Sequence, residues 1–248
     1  MPALVTGAES ALGRAVVDAL LRTGGEVRAW ADAGLVDDAG VADLKRRGSK
    51  VARGTLDDEG HLETAMEQVH TVVHTRGGPL EEPGAMLDDV ATVLSAAIGA
   101  GCRRMVWLSW CGAHDPGDVV WLQAARDAEE MLAVAPVESV VIRRALTFAE
   151  GDPLLAAHLE VEVAASVHLP VLATDLARVV AEADRPRRTA DDAHLVVEVV
   201  GPRAVPLGEL GSGSGPALPV HTSRVLVLGT PDGPDGITRI VALGDPLR

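Results

Sequence analysis

Ala3-Leu4-Val5-Thr6-Gly7-Ala8-Glu9-Ser10-Ala11-Leu12-Gly13 decides how this chain folds. Ala3 to Thr6 is an apolar run of strand length that ends on a glycine. A helix follows at once. Leu12, Ala15, Val16, Ala19 and Leu20 fall at i, i+3, i+4, i+7 and i+8 and form one apolar face. Strand, glycine turn and helix aim a helix N-terminus at an anion. The first N–H groups lack partners inside the helix, and the dipole is positive there. Gly7 supplies the tight turn, and Gly13 lets the helix pack close to the strand. The unit reads as the phosphate turn of a dinucleotide site, with an ordinary strand-to-helix turn as the plainer alternative.

The same alternation continues outward. Val27 to Trp30 reads as the second strand, Asp37 to Arg47 as a short polar helix, and Lys50 to Arg53 as the third strand. Asp58 to Val69 is helical, with Leu62, Ala65, Met66 and Val69 on one face. Thr71 to His74 is the fourth strand, and a long helix runs from Gly84 to Gly101. Met105 to Ser109 is the fifth strand, Val119 to Val134 the next helix, and Ser139 to Arg143 the sixth strand. Strands alternating with helices imply right-handed crossovers and an α/β fold with a doubly wound, mostly parallel sheet. Ligands bind beyond the carboxyl ends of such strands, so the residues after each strand are the informative ones.

After Ala145 the pattern loosens into a small substrate-side region. Pro153 to Val163 is expected to be helical, Leu169 to Ala173 a short strand, and Thr174 the cap of a helix through Ala183. Leu195 to Val200 is apolar and β-rich. The main domain then covers residues 1–210, and residues 211–248 hold a linker and a hairpin. The linker is the Gly/Ser/Pro stretch Gly208 to Pro219, and the hairpin strands are Arg224 to Gly229 and Thr238 to Leu243. A lone two-stranded hairpin is marginal in water. It must join its own sheet or pair with a second copy, and a homodimer is the favoured expectation.

Lys and Arg number 22 against 36 Asp and Glu, a net charge of −14. Such a balance argues against nucleic acid and anionic membrane surfaces as partners. No stretch has the apolar length to span a bilayer, which points to a cytoplasmic protein. Cys102 and Cys111 have no metal-ligand spacing and are expected to be reduced; no metal site is expected. The chain has four Trp, one Phe and no Tyr, so its core must be Leu, Val and Ala.

Thr6-Gly7-Ala8-Glu9-Ser10-Ala11-Leu12-Gly13 resembles the Thr-Gly-x-x-Gly-x-x-Gly fingerprint of extended and atypical short-chain dehydrogenases/reductases. Ser10 stands at the middle glycine. The later landmarks are Val27-Arg28-Ala29, Arg53-Gly54-x-Leu56-x-Asp58, Val72-Val73-His74, Val106-Trp107-Leu108-Ser109, Val141-Ile142-Arg143 and Asp175-Leu176-Ala177. In this order they resemble the NmrA-like branch, from residue 3 to about residue 210. The resemblance implies a Rossmann-type domain and an NAD(P) cofactor. Its implied cofactor residues are Thr6, Gly7, Glu9, Ser10, Ala11, Leu12, Gly13, Asp32, Thr55, Leu56, His74, Thr75, Arg76 and Ser109.

Several of these depart from the family pattern. The Ser10 hydroxyl can donate to phosphate, whereas Glu9 adds a like charge beside it. Asp32 stands where many relatives have an arginine for a 2′-phosphate. An aspartate suits a free 2′-hydroxyl, which leans toward NAD(H) over NADP(H); its other reading is a solvated loop acid before Gly34. Thr55 replaces an adenine-reading aspartate, and Leu56 either packs on the ring or lies in the core. His74 reads as a core histidine. Arg76 has three readings: a phosphate clamp, a filler of the cofactor space, or a surface arginine paired with Glu81 or Glu82.

The superfamily's chemistry needs a Ser/Thr after the fifth strand and Tyr-x-x-x-Lys on the next helix. The lysine and cofactor lower the tyrosine's pKa so that it can exchange a proton. Here that helix reads Trp121-Leu122-Gln123-Ala124-Ala125-Arg126, and no tyrosine exists anywhere. Ser109, Cys111 and Arg126 are the remaining candidates, with His114-Asp115 as a further acid/base pair. Three readings follow: a dinucleotide-binding or sensing protein without standard catalysis, an oxidoreductase or epimerase-like enzyme with relocated groups, or an interaction protein with a decayed nucleotide site. Whether the chain is an enzyme is left open.

Overall fold

In the computed structural model, which describes residues 1–79, 81–149, 167–168, 170–184, 193–201, 205–206, 226–228 and 240–242, the opening stretch forms β1 (Ala3–Thr6) and α1 (Ala11–Arg22). There follow β2 (Val27–Asp32), α2 (Asp38–Arg46), β3 (Lys50–Gly54), α3 (Glu59–Met66), β4 (Thr71–His74) and α4 (Pro83–Gly99). Next come β5 (Arg104–Trp110), α5 (Val120–Ala133), β6 (Glu138–Arg144), β7 (Thr147–Phe148), β8 (Val167–His168), β9 (Val171–Leu172) and α6 (Ala173–Ala183). The last described elements are β10 (His194–Val200), β11 (Val205–Pro206), β12 (Leu226–Leu228) and β13 (Ile240–Ala242).

Seven strands run parallel in the order β3-β2-β1-β4-β5-β6-β10. The chain winds outward from β1 to β3, then crosses back to lay β4 on the other side of β1. That reversal opens a crevice between the carboxyl ends of β1 and β4, the switch point where such sheets take ligands.

Alternation along each strand divides the core. Ala3 and Val5 of β1, Val73 of β4, Val106 of β5 and Ile142 of β6 face the side that buries Val16 and Leu20 of α1 and Leu176 and Val180 of α6. Leu4, Val72, Met105, Trp107 and Val141 face the other side, with Leu62 of α3, Val93 of α4 and Leu132 of α5. Trp30 and Trp107 are the largest fully buried side chains, and both fill this second face. Two tryptophans thus supply bulk that a Leu/Val/Ala core lacks. Asp37 and Asp58 cap α2 and α3 by accepting from the Gly40 and His61 N–H groups at 2.7 and 3.1 Å.

Three expectations change. α6 starts before Thr174, and its capping position is Leu172, with no side-chain cap. The helix α3 ends at Met66, short of Val69, because Gln68 turns into the left-handed region at φ 62. The hairpin joins its own sheet: β12 pairs antiparallel with β10, and β13 pairs with β12. The edge of β10 is therefore covered by the same chain, and β13 is the outer described strand. The expected helix at Pro153–Val163, the Gly208–Pro219 linker and the hairpin turn lie outside the described residues. Among the described residues no helix is long and apolar enough to cross a membrane, and no group of three or more His, Cys, Asp or Glu is placed to hold a metal.

Candidate functional site at the switch point

The crevice starts from its glycines. Gly7 leaves β1 at φ 73, a backbone form that suits glycine. A side chain there would meet Thr75 Oγ1 at 2.5 Å and Arg76 Cγ at 2.8 Å. At Gly13 a Cβ would lie 2.0 Å from the Gly7 carbonyl oxygen. Ser10 is the N-cap of α1. Its hydroxyl accepts from the Gly13 N–H and donates to the Gly7 carbonyl, both at 2.9 Å. That hydroxyl therefore works inside the turn. The Ala11 and Leu12 N–H groups have no partner among the described residues, so the anion-facing end of α1 is in place.

Charged side chains close over this turn. Arg76 leaves the end of β4, and its stem lies against Gly7. Its Nη1 donates to Asp32 Oδ2, at the end of β2, at 2.7 Å. Its Nη2 lies 3.6 Å from Asp89 Oδ2 on α4. Because β1 sits between β4 and β2, this side chain bridges the exit of β1. Asp32 Oδ1 accepts from the Gly34 N–H at 2.8 Å, so both carboxylate oxygens are engaged. Glu9 Oε2 accepts from the Asp32 N–H at 3.4 Å. Burial pushes the Glu9 carboxyl above its ordinary value, against the lowering pull of backbone hydrogen bonds and Arg76. Asp89 is also raised by burial, with Arg76 opposing. The Glu81 or Glu82 pairing raised for Arg76 from sequence is replaced by Asp32 and Asp89; Glu81 accepts from the Gly77 N–H at 3.2 Å.

The loop presenting Arg76 is anchored through its carbonyls. Trp107 Nε1 donates to the Arg76 carbonyl at 3.3 Å, and Trp110 Nε1 to the Gly77 carbonyl at 3.0 Å. Arg144 Nη2 reaches the same Gly77 carbonyl at 3.3 Å, and its guanidinium lies 3.7 Å over the Trp110 ring. Trp121 of α5 meets Trp110 edge-on at 5.5 Å. Thr75 Oγ1 donates to the Thr6 carbonyl at 2.8 Å. His74 is fully buried, with Nδ1 2.7 Å from Thr6 Oγ1 and no hydrogen-bond partner for Nε2. Burial, aided by Arg76, pushes its pKa down to about 3, so it stays neutral. Thr55 is exposed beyond β3, whereas Leu56 is buried with Trp30 and Leu62.

The candidate catalytic residues lie along β5, β6 and α5. Ser109 is fully buried, and its hydroxyl donates to Glu129 Oε1 at 2.5 Å. Arg143 clamps Glu129, Nε at 3.1 Å and Nη2 at 2.6 Å. The Ser109 proton is thus committed to a carboxylate inside the protein. Cys111 donates to the Arg143 carbonyl at 3.4 Å, and burial above all pushes its thiol up to about 12, which keeps it protonated. Arg126 is exposed and pairs with Glu130 at 3.1 Å, on the rim of a surface cleft of about 490 Å³ that also takes in Asp115 and Asp127. His114 is half exposed, its Nδ1 3.6 Å from Glu198 Oε1 of β10, a buried oxygen without a hydrogen bond.

Sequence reasoning missed Glu129, Asp89 and Glu198. Glu129 was findable: it interrupts the apolar face Ala125, Ala128 and Leu132 of α5, where a carboxylate needs a partner.

The family model described as NmrA-like family matches residues 3–126, half of the 248-residue chain. No curated protein matches. Among solved structures, UDP-glucose 4-epimerase of Thermotoga maritima with UDP-glucose is similar at 18% identity and a TM-score of 0.67, over 85% of this chain and 80% of that one. An NADPH-dependent quinone oxidoreductase of Escherichia coli complexed with NADPH gives 21% identity and a TM-score of 0.66, over 86% and 73%. The Bordetella bronchiseptica enzyme WbmH in complex with NAD+ gives 16% and 0.65, over 84% and 78%. At these identities the likeness shows the fold.

Proposed function

The chain belongs to the NmrA-like family, and from that premise we propose that it binds a nicotinamide dinucleotide in the switch-point crevice without the hydride transfer of the wider superfamily, as a ligand-holding or sensing protein. The observation that carries this reading is Ser109: its hydroxyl proton goes to Glu129, and no tyrosine exists to stand beside it. The crevice keeps what binding needs, a left-handed Gly7, a close-packed Gly13 and the open N–H groups of Ala11 and Leu12. A bound dinucleotide would lay its pyrophosphate against those groups and bring the chemistry of its nicotinamide; Asp32 would accept from the ribose diol. That role of Asp32 favours NAD(H) over NADP(H). A cytoplasmic setting and a homodimer through the outer edge of β13 belong to the same reading.

The test pairs binding with turnover. A thermal-shift screen with NAD, NADH, NADP and NADPH should raise the melting temperature, most with NAD or NADH. A panel of aldehydes, ketones, alcohols and nucleotide sugars should leave nicotinamide absorbance flat. Enzyme-dependent NADH oxidation in that panel would overturn it.

One observation favours a second reading, an enzyme with relocated groups. His114 Nδ1 lies 3.6 Å from Glu198 Oε1, a buried oxygen of β10 without a hydrogen bond, an arrangement in which a carboxylate can orient an imidazole base. Turnover lost in His114→Gln would promote it.

A further inference from the structure

Resting on the dinucleotide reading, we propose that Arg76 is the residue that sets what the crevice accepts: it closes the site on Asp32, and a dinucleotide enters only when that bridge opens. The stem of Arg76 lies against Gly7, the glycine whose bare backbone leaves room for a pyrophosphate. Its guanidinium ends on Asp32 Oδ2, the oxygen that a ribose hydroxyl would use. The other Asp32 oxygen is held by Gly34. One side chain thus covers two subsites of the same ligand.

The closure is built into the fold. Trp107, Trp110 and Arg144 grip the carbonyls of Arg76 and Gly77, so the backbone that launches the side chain is fixed from below. Asp89 attracts the guanidinium from α4. The side-chain exposures are 24% for Arg76 and 14% for Asp32, so the pair is shielded from solvent more than a surface ion pair. Asp89, Asp32 and Glu9 all attract the Arg76 guanidinium.

The experiment compares the unmodified chain, Arg76→Ala and Arg76→Gln by calorimetric titration with NADH and with adenosine. All carbonyl contacts of the loop are backbone and survive both substitutions; a melting curve checks each fold, and Arg76→Gln serves if Arg76→Ala does not fold. The expected result is NADH binding about tenfold tighter in the variants, the gain when the open form is about one part in ten. Adenosine binding should appear only in the variants. NADH binding to the unmodified chain that is equal or weaker in the variants overturns the closure and makes Arg76 a phosphate clamp, while the dinucleotide reading stands. No NADH binding by any of the chains overturns both.

Discussion

Arg76 Nη1 stands 2.7 Å from Asp32 Oδ2, and the bond spans the carboxyl end of β1, the strand that separates them in the sheet. The relationship joins two residues 44 positions apart that each had a separate role in the sequence reading. Its strength can be measured without any ligand. A double-mutant cycle of Arg76→Gln and Asp32→Asn should give a stabilising coupling of about 1 kcal/mol in urea unfolding, at the upper end for partly exposed pairs. A coupling of zero would mean that the two groups touch without holding.

The buried Glu129–Arg143 pair should matter more. Glu129→Ala leaves a guanidinium with 4% side-chain exposure deprived of its main counter-charge, and unfolding free energy should fall by about 3–5 kcal/mol. Ser109→Ala removes one hydrogen bond and should cost about 1–2 kcal/mol. A larger loss at Ser109 than at Glu129 would contradict the structural role given to the hydroxyl.

His74 gives stability a pH dependence. Its folded pKa is about 3, below the ordinary 6.5, so only the unfolded chain takes the proton in between. Stability is therefore lost as pH falls through that window, by at most about 1.4 kcal/mol per pH unit. His74→Asn can still meet Thr6 and carries no titration. Its unfolding free energy should decline less steeply on acidification than that of the unmodified chain, as denaturant melts at a series of pH values would show.

Glu9 acts in the opposite direction. Its folded pKa is raised above 4.5, so the folded chain holds the proton more tightly. The penalty for ionising it appears as pH rises through the raised value and stays at neutral pH. Glu9→Gln should raise the melting temperature at neutral pH, and the gain should shrink as pH drops below 4.5. A destabilised variant at neutral pH would show that the charge is needed where it lies.

The fold was legible because glycine, capping residues and apolar period all agreed. Gly7 and Gly13 marked a turn that a Cβ at either position would break, and the strands from β1 to β6 fell within a few residues of their expected places. The site was legible only as a set of positions. Arg76 allowed three roles because a flexible cation takes its meaning from what surrounds it, and Asp89 lies a helix away in sequence. Ser109 could be placed at the end of the fifth strand, but its partner Glu129 depends on how α5 rotates against the sheet. The hairpin showed two apolar strands needing cover, and only the free edge of β10 says what provides it.

The central claim, a bound dinucleotide without turnover, is tested most directly by titrating the purified chain with NADH and following energy transfer from its tryptophans to the nicotinamide. The account predicts a saturable signal that NAD competes away, that strengthens in Arg76→Ala, and that persists without loss of NADH when carbonyl substrates are added. No saturable signal in either chain, or NADH consumed by the unmodified protein, would contradict it.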